Sequence, residues 1–174
     1  MNSNWALPTT VIQYSEADAE EYHVPWIETN NFHSLRNLES GSIKTARDLL
    51  HIAKQPNHDF VEKTYFLKII GFNFINLPEV LSGIELRLSM QRHGRISDET
   101  IQLCLDNDTI GDNLASLQLN PITIYGDETN LWNTTLTIAD VQNPNFGIIL
   151  RFRSHPNWPH KSTPLINAVE LRMH

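Results

Sequence analysis

The chain has 174 residues, 40% of them hydrophobic, which suits one ordinary domain with a real core and leaves some length for a tail. Its formal net charge of −7 excludes a sequence-independent grip on nucleic acid phosphates unless Lys and Arg cluster locally, and the nearest approach to a cluster, Arg87, Arg92 and Arg95, is broken by polar residues. The lone Cys104 excludes an internal disulfide framework and any cysteine-based zinc cluster.

The first residues, "MNSNWALPTTVIQYSEADAEEYHVPW", lack a basic start followed by an apolar core, so they do not read as a secretion signal. No run of 18 apolar residues follows anywhere, and the expectation is a soluble protein with no membrane contact. Residues 1–40 carry Pro8, Pro25, the acidic Glu16, Asp18, Glu20 and Glu21, and spaced aromatics, with neither a helical nor a strand period. This is either a loose tail or an extended arm that buries its aromatics against a neighbouring subunit. The number of aromatics favours the arm, because ordering a residue costs about 1–2 kcal/mol and aromatic burial is what offsets it. The expected anchors are Trp5, Val11, Ile12, Tyr14, Tyr22 and Trp26, on an arm of residues 1–40 preceding a sandwich of residues 41–174.

Residues 41–56, "GSIKTARDLLHIAKQP", fit two templates. Ile43, Ala46, Leu50 and Ala53 share a helical stripe that Ser42 could cap and Pro56 would end, while Leu50 and Ile52 also suit a short strand. Beyond residue 64 the pattern is plainly β. "TYFLKIIGFNF" is apolar on both faces, as a central strand is. "SGIELRLSMQRHG" alternates, with Ile84, Leu86, Leu88 and Met90 facing in and Glu85, Arg87, Ser89 and Gln91 facing water. Ile101, Leu103 and Leu105, then Phe146, Ile148, Leu150 and Phe152, then Val169, Leu171 and Met173 repeat that alternation, with a short "PITIY" between. One short helix is predicted over Thr137–Gln142, with Thr137 as cap and Asp140 in its first turn. Short strands separated by turn-rich segments predict an all-β protein, an antiparallel sandwich.

The search for chemistry returns little. The eight histidines show no spacing that sets two metal ligands on one face, and His155 and His160 flank a Pro-rich loop. "DNDTIGDN" at 106–113 is acidic like a calcium loop but lacks its closing Glu. Asp98, Glu99, Asp106, Asp108, Asp127 and Glu128 border strands, where Asp and Asn serve tight turns. Cys104 sits in mid-strand opposite the Leu103 and Leu105 face, there is no Gly-x-Ser-x-Gly, and the glycines never cluster as phosphate-cradling loops do. The expectation is that the chain is not an enzyme and takes no metal or cofactor. Trp132, Trp158 and Tyr125 could make an aromatic platform for sugars, against the alternative that Trp132 lids one end of the sandwich.

Residues 65–173 carry a pattern of structural positions: Gly71-Phe72-x-Phe74, Gly83-Ile-x-Leu-x-Leu88, Asn113, Tyr125-Gly126, Leu131-Trp132, Thr137-x-x-Asp-Val141, Asn145-Phe146-Gly147 and a closing Val-x-Leu strand. It resembles a jelly-roll-like β-sandwich module of tailed-phage virion structural proteins, one that recurs in some bacterial surface proteins as well. The usual Gly after Trp is Asn133 here, and the N-terminal arm has no counterpart. The resemblance implies a virion protein, foremost a head cement or decoration protein on the outer surface of the capsid, made in the host cytoplasm. Its implied partners are copies of itself and the major capsid protein, clasped through the arm, with no nucleic acid and no membrane. A peripheral tail or baseplate protein that binds a receptor uses the same module, and a carbohydrate-binding module is the remaining alternative.

Overall fold

The computed structural model describes residues 5–15, 23–27, 29, 43–49, 51–54, 58–117, 123–154 and 161–174. In chain order the elements are β1 (Thr10–Tyr14), β2 (His23–Val24), β3 (Trp26–Ile27), β4 (Ile43–Thr45), β5 (His51–Lys54), β6 (His58–Val61), β7 (Lys63–Thr64), β8 (Phe66–Ile70), β9 (Ile84–His93), β10 (Ile96–Leu105), β11 (Asp108–Ile110), β12 (Ile124–Asp127), α1 (Ile138–Gln142), β13 (Phe146–Ser154) and β14 (Thr163–Met173). A seven-stranded sheet runs β1-β8-β13-β10-β11, with β7 beside β13 and β2 beside β7; a five-stranded sheet runs β12-β9-β14-β4-β3. The two pack face to face as an all-β sandwich, and β5 and β6 form a separate hairpin.

Alternation in the sequence becomes the core. Leu67, Ile69, Ile101, Leu103, Ile148, Leu150 and Phe152 point inward from one sheet, and Ile84, Leu86, Leu88, Ile166, Val169 and Leu171 from the other. Burying each such side chain stabilises the fold by about 1.5–3 kcal/mol. β13 is the exception to half-wet alternation: Gly147, Ile149 and Arg151 on its second face are buried too, Ile149 beside Ile70, Cys104 and Phe66 and Arg151 over the Phe66 ring, side chains carried by the flanking β8 and β10. Gly147 has no side chain for a steric reason, since a Cβ there would strike the Ile69 carbonyl of β8.

Within the ambiguous residues 41–56, the described 43–49 and 51–54 hold β4 and β5, while Ser42, Leu50 and Pro56 lie outside the described residues. Ile43 and Thr45 are buried with β3 on one side and β14 on the other, a distant pairing that local periodicity does not reveal. The one α-helix among the described residues is α1, and it carries the expected capping box of Thr137 and Asp140.

The described stretches of residues 5–27 belong to the same two sheets as the rest of the chain, so the boundary expected at residue 40 does not set them apart. Ala6 exchanges backbone hydrogen bonds of 2.7 and 3.1 Å with Leu171 of β14, in the five-stranded sheet. Four residues later β1 pairs with β8 in the other sheet, so this segment passes from one sheet to the other. β2 then pairs in parallel with β7, and β3 joins β4. The Gln13 side-chain amide completes the closure: its Nε2 donates to Trp26 O and its Oε1 accepts from Trp26 N, both at 2.9 Å, as an opposing strand residue would. Trp26 itself is 2% exposed, donates from Nε1 to Tyr65 O at 2.8 Å and meets Phe152 edge-on.

Truncating Trp26 should therefore cost about 3–5 kcal/mol, because it opens a large cavity and strands the Tyr65 carbonyl. Chemical denaturation of Trp26→Ala measures this, and an unchanged midpoint would mean that Trp26 contributes nothing to this core.

Candidate functional site

The turn-rich stretch from Tyr125 to Gly147 builds one end of the sandwich. Tyr125 of β12 is buried, and its hydroxyl donates to Asp98 Oδ2 of β10 at 2.9 Å, a polar tie from one sheet to the other; Ser116 N donates to the same oxygen at 3.3 Å. Next to it Gly126 adopts φ +78, and a Cβ there would run into the Ile84 carbonyl and Trp132 Nε1. Trp132 fills that space with no exposed surface and donates from Nε1 to Ile84 O at 2.9 Å. Its own φ of +57 is uncommon for a bulky residue and is held by the 2.7 Å bond from its N–H to Asn130 Oδ1.

The acids and amides here serve the backbone. Asp127 Oδ1 accepts from Thr129 N and Oγ1, each at 2.8 Å, and Asn113 Oδ1 accepts from Ile101 N at 2.9 Å and Ala115 N at 3.0 Å. Thr137 N donates to Asp140 Oδ2 at 2.7 Å while Asp140 N donates to Thr137 Oγ1, and Asn143 Oδ1 takes Asn145 N at 2.9 Å. The backbone and hydroxyl donors of Thr129 hold the Asp127 carboxyl below its ordinary range, and those of Thr137 do the same for Asp140. Carboxylates fixed as charged acceptors are poorly suited to proton transfer near neutral pH. Among the described residues no three of His, Cys, Asp and Glu gather as a metal site, and no helix is long and apolar enough to cross a membrane.

The aromatic platform is overturned for two of its three members: Trp132 is fully buried and Tyr125 nearly so, because both spend their faces on the core. Trp158 lies outside the described residues, as do Tyr22, His155 and His160.

On the outer face of the five-stranded sheet, opposite charges sit across β9 and β14. Arg87 Nε contacts Glu170 Oε2 at 2.6 Å, Arg172 Nε contacts Glu85 Oε2 at 2.7 Å, and His174 Nε2 lies 2.8 Å from that same oxygen. Trp5 lies across the ladder, its ring 4.3 Å from the Arg87 guanidinium carbon and 4.5 Å from that of Arg172. A residue expected to anchor an arm on a neighbour is thus seated on its own chain, and Glu85, expected on the wet face, is buried.

On the outer face of the seven-stranded sheet, Arg151 is 3% exposed and stacks 4.3 Å over Phe66. Its Nη2 lies 2.5 Å from His23 Nε2 and its Nε 3.2 Å from Glu99, which also pairs with Lys63. Beside them Ile70, Cys104 and Ile149 form a small second apolar cluster with Phe66. Burial pushes the Cys104 thiol up to about 11 despite the nearby Lys68 charge, so it is protonated at neutral pH and inert as a nucleophile.

Of the expected anchors, Val11 is half-buried facing the core and Trp26 is buried, whereas Ile12 and Tyr14 of β1 remain 46% and 40% exposed. Sequence reasoning missed the most exposed aliphatics among the described residues, Ile75 at 73% and Val80 at 78%, both on the segment joining β8 to β9. Pro78 and the end of the apolar run at residue 74 were the available signals of a loop there. Comparison with family models, with curated proteins and with solved structures found no match.

Burial alone would raise the Glu85 carboxyl, but hydrogen bonds from His174 and Arg172 outweigh it and hold it below its ordinary range. A depressed carboxyl stabilises the fold above its unfolded-state pKa, about 4.3, and loses that contribution as pH falls through the lower folded value. Glu85→Gln should therefore melt at lower temperature than the parent at pH 7, with the gap narrowing towards pH 3 in a thermal-melt series. A second expectation concerns the sheet-to-sheet tie: Tyr125→Phe leaves buried Asp98 short of a donor and should cost about 1–3 kcal/mol in urea unfolding.

Proposed function

We propose that the chain is a virion structural protein of a tailed phage, a head cement or decoration protein of jelly-roll-like build that sits on the outer surface of the capsid. It binds the major capsid protein and associates with further copies of itself. The observation that carries this reading is what the motif residues do. Gly126 makes room for Trp132, Trp132 plugs the core, Thr137 and Asp140 cap α1, and Gly147 lets β8 and β13 close. A motif consumed in this way supports a scaffold that presents a surface, in place of a centre that transforms a ligand.

Three further features favour it. From β8 onward, with β11 paired to β10 as its continuation, successive strands alternate between sheets, β8, β10 and β13 in one and β9, β12 and β14 in the other, which is compatible with a jelly-roll-like winding. The acidic balance favours a place away from packaged DNA. Ile75 and Val80 are the most exposed aliphatics among the described residues, and Phe74, next to Ile75 in the chain, packs against Phe72 and Phe146 with ring centroids 6.1 and 6.3 Å apart; exposed aliphatics on one segment suit contact with a lattice. The pair is the capsid-facing surface in this reading.

Deleting residues 1–40 is a poor test, since it removes β1, β2 and β3 along with Trp26. Co-sedimentation with expanded capsids is cleaner. The parent chain should pellet with capsids, and the double variant Ile75→Asp, Val80→Asp should bind at least about tenfold more weakly with its thermal melt unchanged. A parent chain that ignores capsids, or binds host cells in their place, overturns the cement reading.

A further inference from the structure

We infer that β1 is a docking edge for a second copy of this chain, two copies joining antiparallel along Thr10–Tyr14 so that their seven-stranded sheets run into one. This deepens the assembly reading above and rests on it. Soluble proteins usually guard a sheet edge with a charge, a proline, a bulge or a covering element. The β1 sequence Thr-Val-Ile-Gln-Tyr has neither charge nor proline, and its five consecutive pairs with β8 contain no bulge. Among the described residues no strand pairs with its other side. The opposite edge of the same sheet, β11, opens with the exposed Asp108.

What lies next to the edge suits a strand arriving there. Ile12 and Tyr14 are 46% and 40% exposed on the outer face, and the Tyr14 ring is held in place by stacking on Phe66 at 5.1 Å and 17°. Inside them lies a half-open hollow of about 260 Å³ lined by Tyr14, Lys68, Cys104, Asn107 and Ile149. Gln13, facing the other way, is already committed to Trp26, so the edge is rigid before anything docks.

Charge selects the occupant. Two chains of net charge −7 repel except where they meet through surface without carboxylates; β1 has none, and the charged side chain lining the hollow is the cationic Lys68. The strand also complements itself. Antiparallel pairing centred on residue 12 sets the two Ile12 side chains opposite one another and each Tyr14 opposite a Thr10, an aromatic against a β-branched residue. A two-fold contact of this kind closes on itself and leaves Ile75 and Val80 outside it.

The test needs no capsid, so its failure is distinct from failure of the cement reading. Sedimentation equilibrium of the full chain should show a dimer, and Ile12→Lys, which places a charge on an exposed position of the edge, should weaken it at least about tenfold with an unchanged thermal melt. Ile12→Cys should form a symmetric disulfide under mild oxidation, because directly opposed antiparallel residues lie about 4.5–5.5 Å apart, within disulfide reach, and the buried, protonated Cys104 does not compete. A monomeric parent chain, or a dimer that neither Ile12→Lys weakens nor Ile12→Cys cross-links, overturns the inference.

Discussion

Two stacked sheets bury their inner faces readily, but their edges stay open unless something spans the gap, and at the β1 edge of this chain one amide makes that span. Gln13 bonds both backbone groups of Trp26, so an edge strand of the seven-stranded sheet is fastened to an edge strand of the five-stranded one. The arrangement around it depends on that link. Trp26 is driven into the core, its indole N–H reaches Tyr65 O, and β2 and β3 bracket the start of β8. The same pass of the chain begins on the five-stranded sheet, with Ala6 on β14 and Trp5 across the Arg87 and Arg172 guanidinium groups.

Asp98 Oδ2 and Arg151 find partners far away in sequence, while Asp98 Oδ1 and the Ser97 and Thr45 hydroxyls have no hydrogen-bond partner among the described residues. Asp98 and Tyr125 meet across the core, and Arg151, on a strand buried on both faces, is surrounded by His23, Thr64, Glu99 and Phe66. Unpaired, either Asp98 or Arg151 would be costly in that setting, so each specifies which strands must be neighbours. Among the described residues, these polar groups are committed to partners within the chain.

That commitment gives the functional reading its shape. Among the described residues, large apolar side chains are exposed at the β1 edge with Ile12 and Tyr14, on the β8–β9 segment with Ile75 and Val80, and at Ile27, Leu117 and Ile124. Tyr14 stacks on Phe66, and Phe72 and Phe74 stack on one another just before Ile75 in the chain. In the function proposed above, the β1 edge would meet a second copy and the β8–β9 segment the capsid lattice.

How much of this was legible beforehand depended on the range of the interaction involved. Alternation at Ile84, Leu86 and Leu88, at Ile101 and Leu103 and at Val169 and Leu171 determined by itself that the fold is β and which face is the core, because the strand period of two is local and survives any topology. The Thr137 and Asp140 cap and the turns at Asp127 and Asn143 were readable for the same reason, since each closes within three residues. Residues 43–45 were not, because β4 becomes a strand through neighbours more than 100 residues away on β14. The fate of Trp5 and Trp26, and the burial of Trp132, were likewise settled only by tertiary structure: a sequence shows that an aromatic needs burial, but only packing decides whether its own chain or another supplies it.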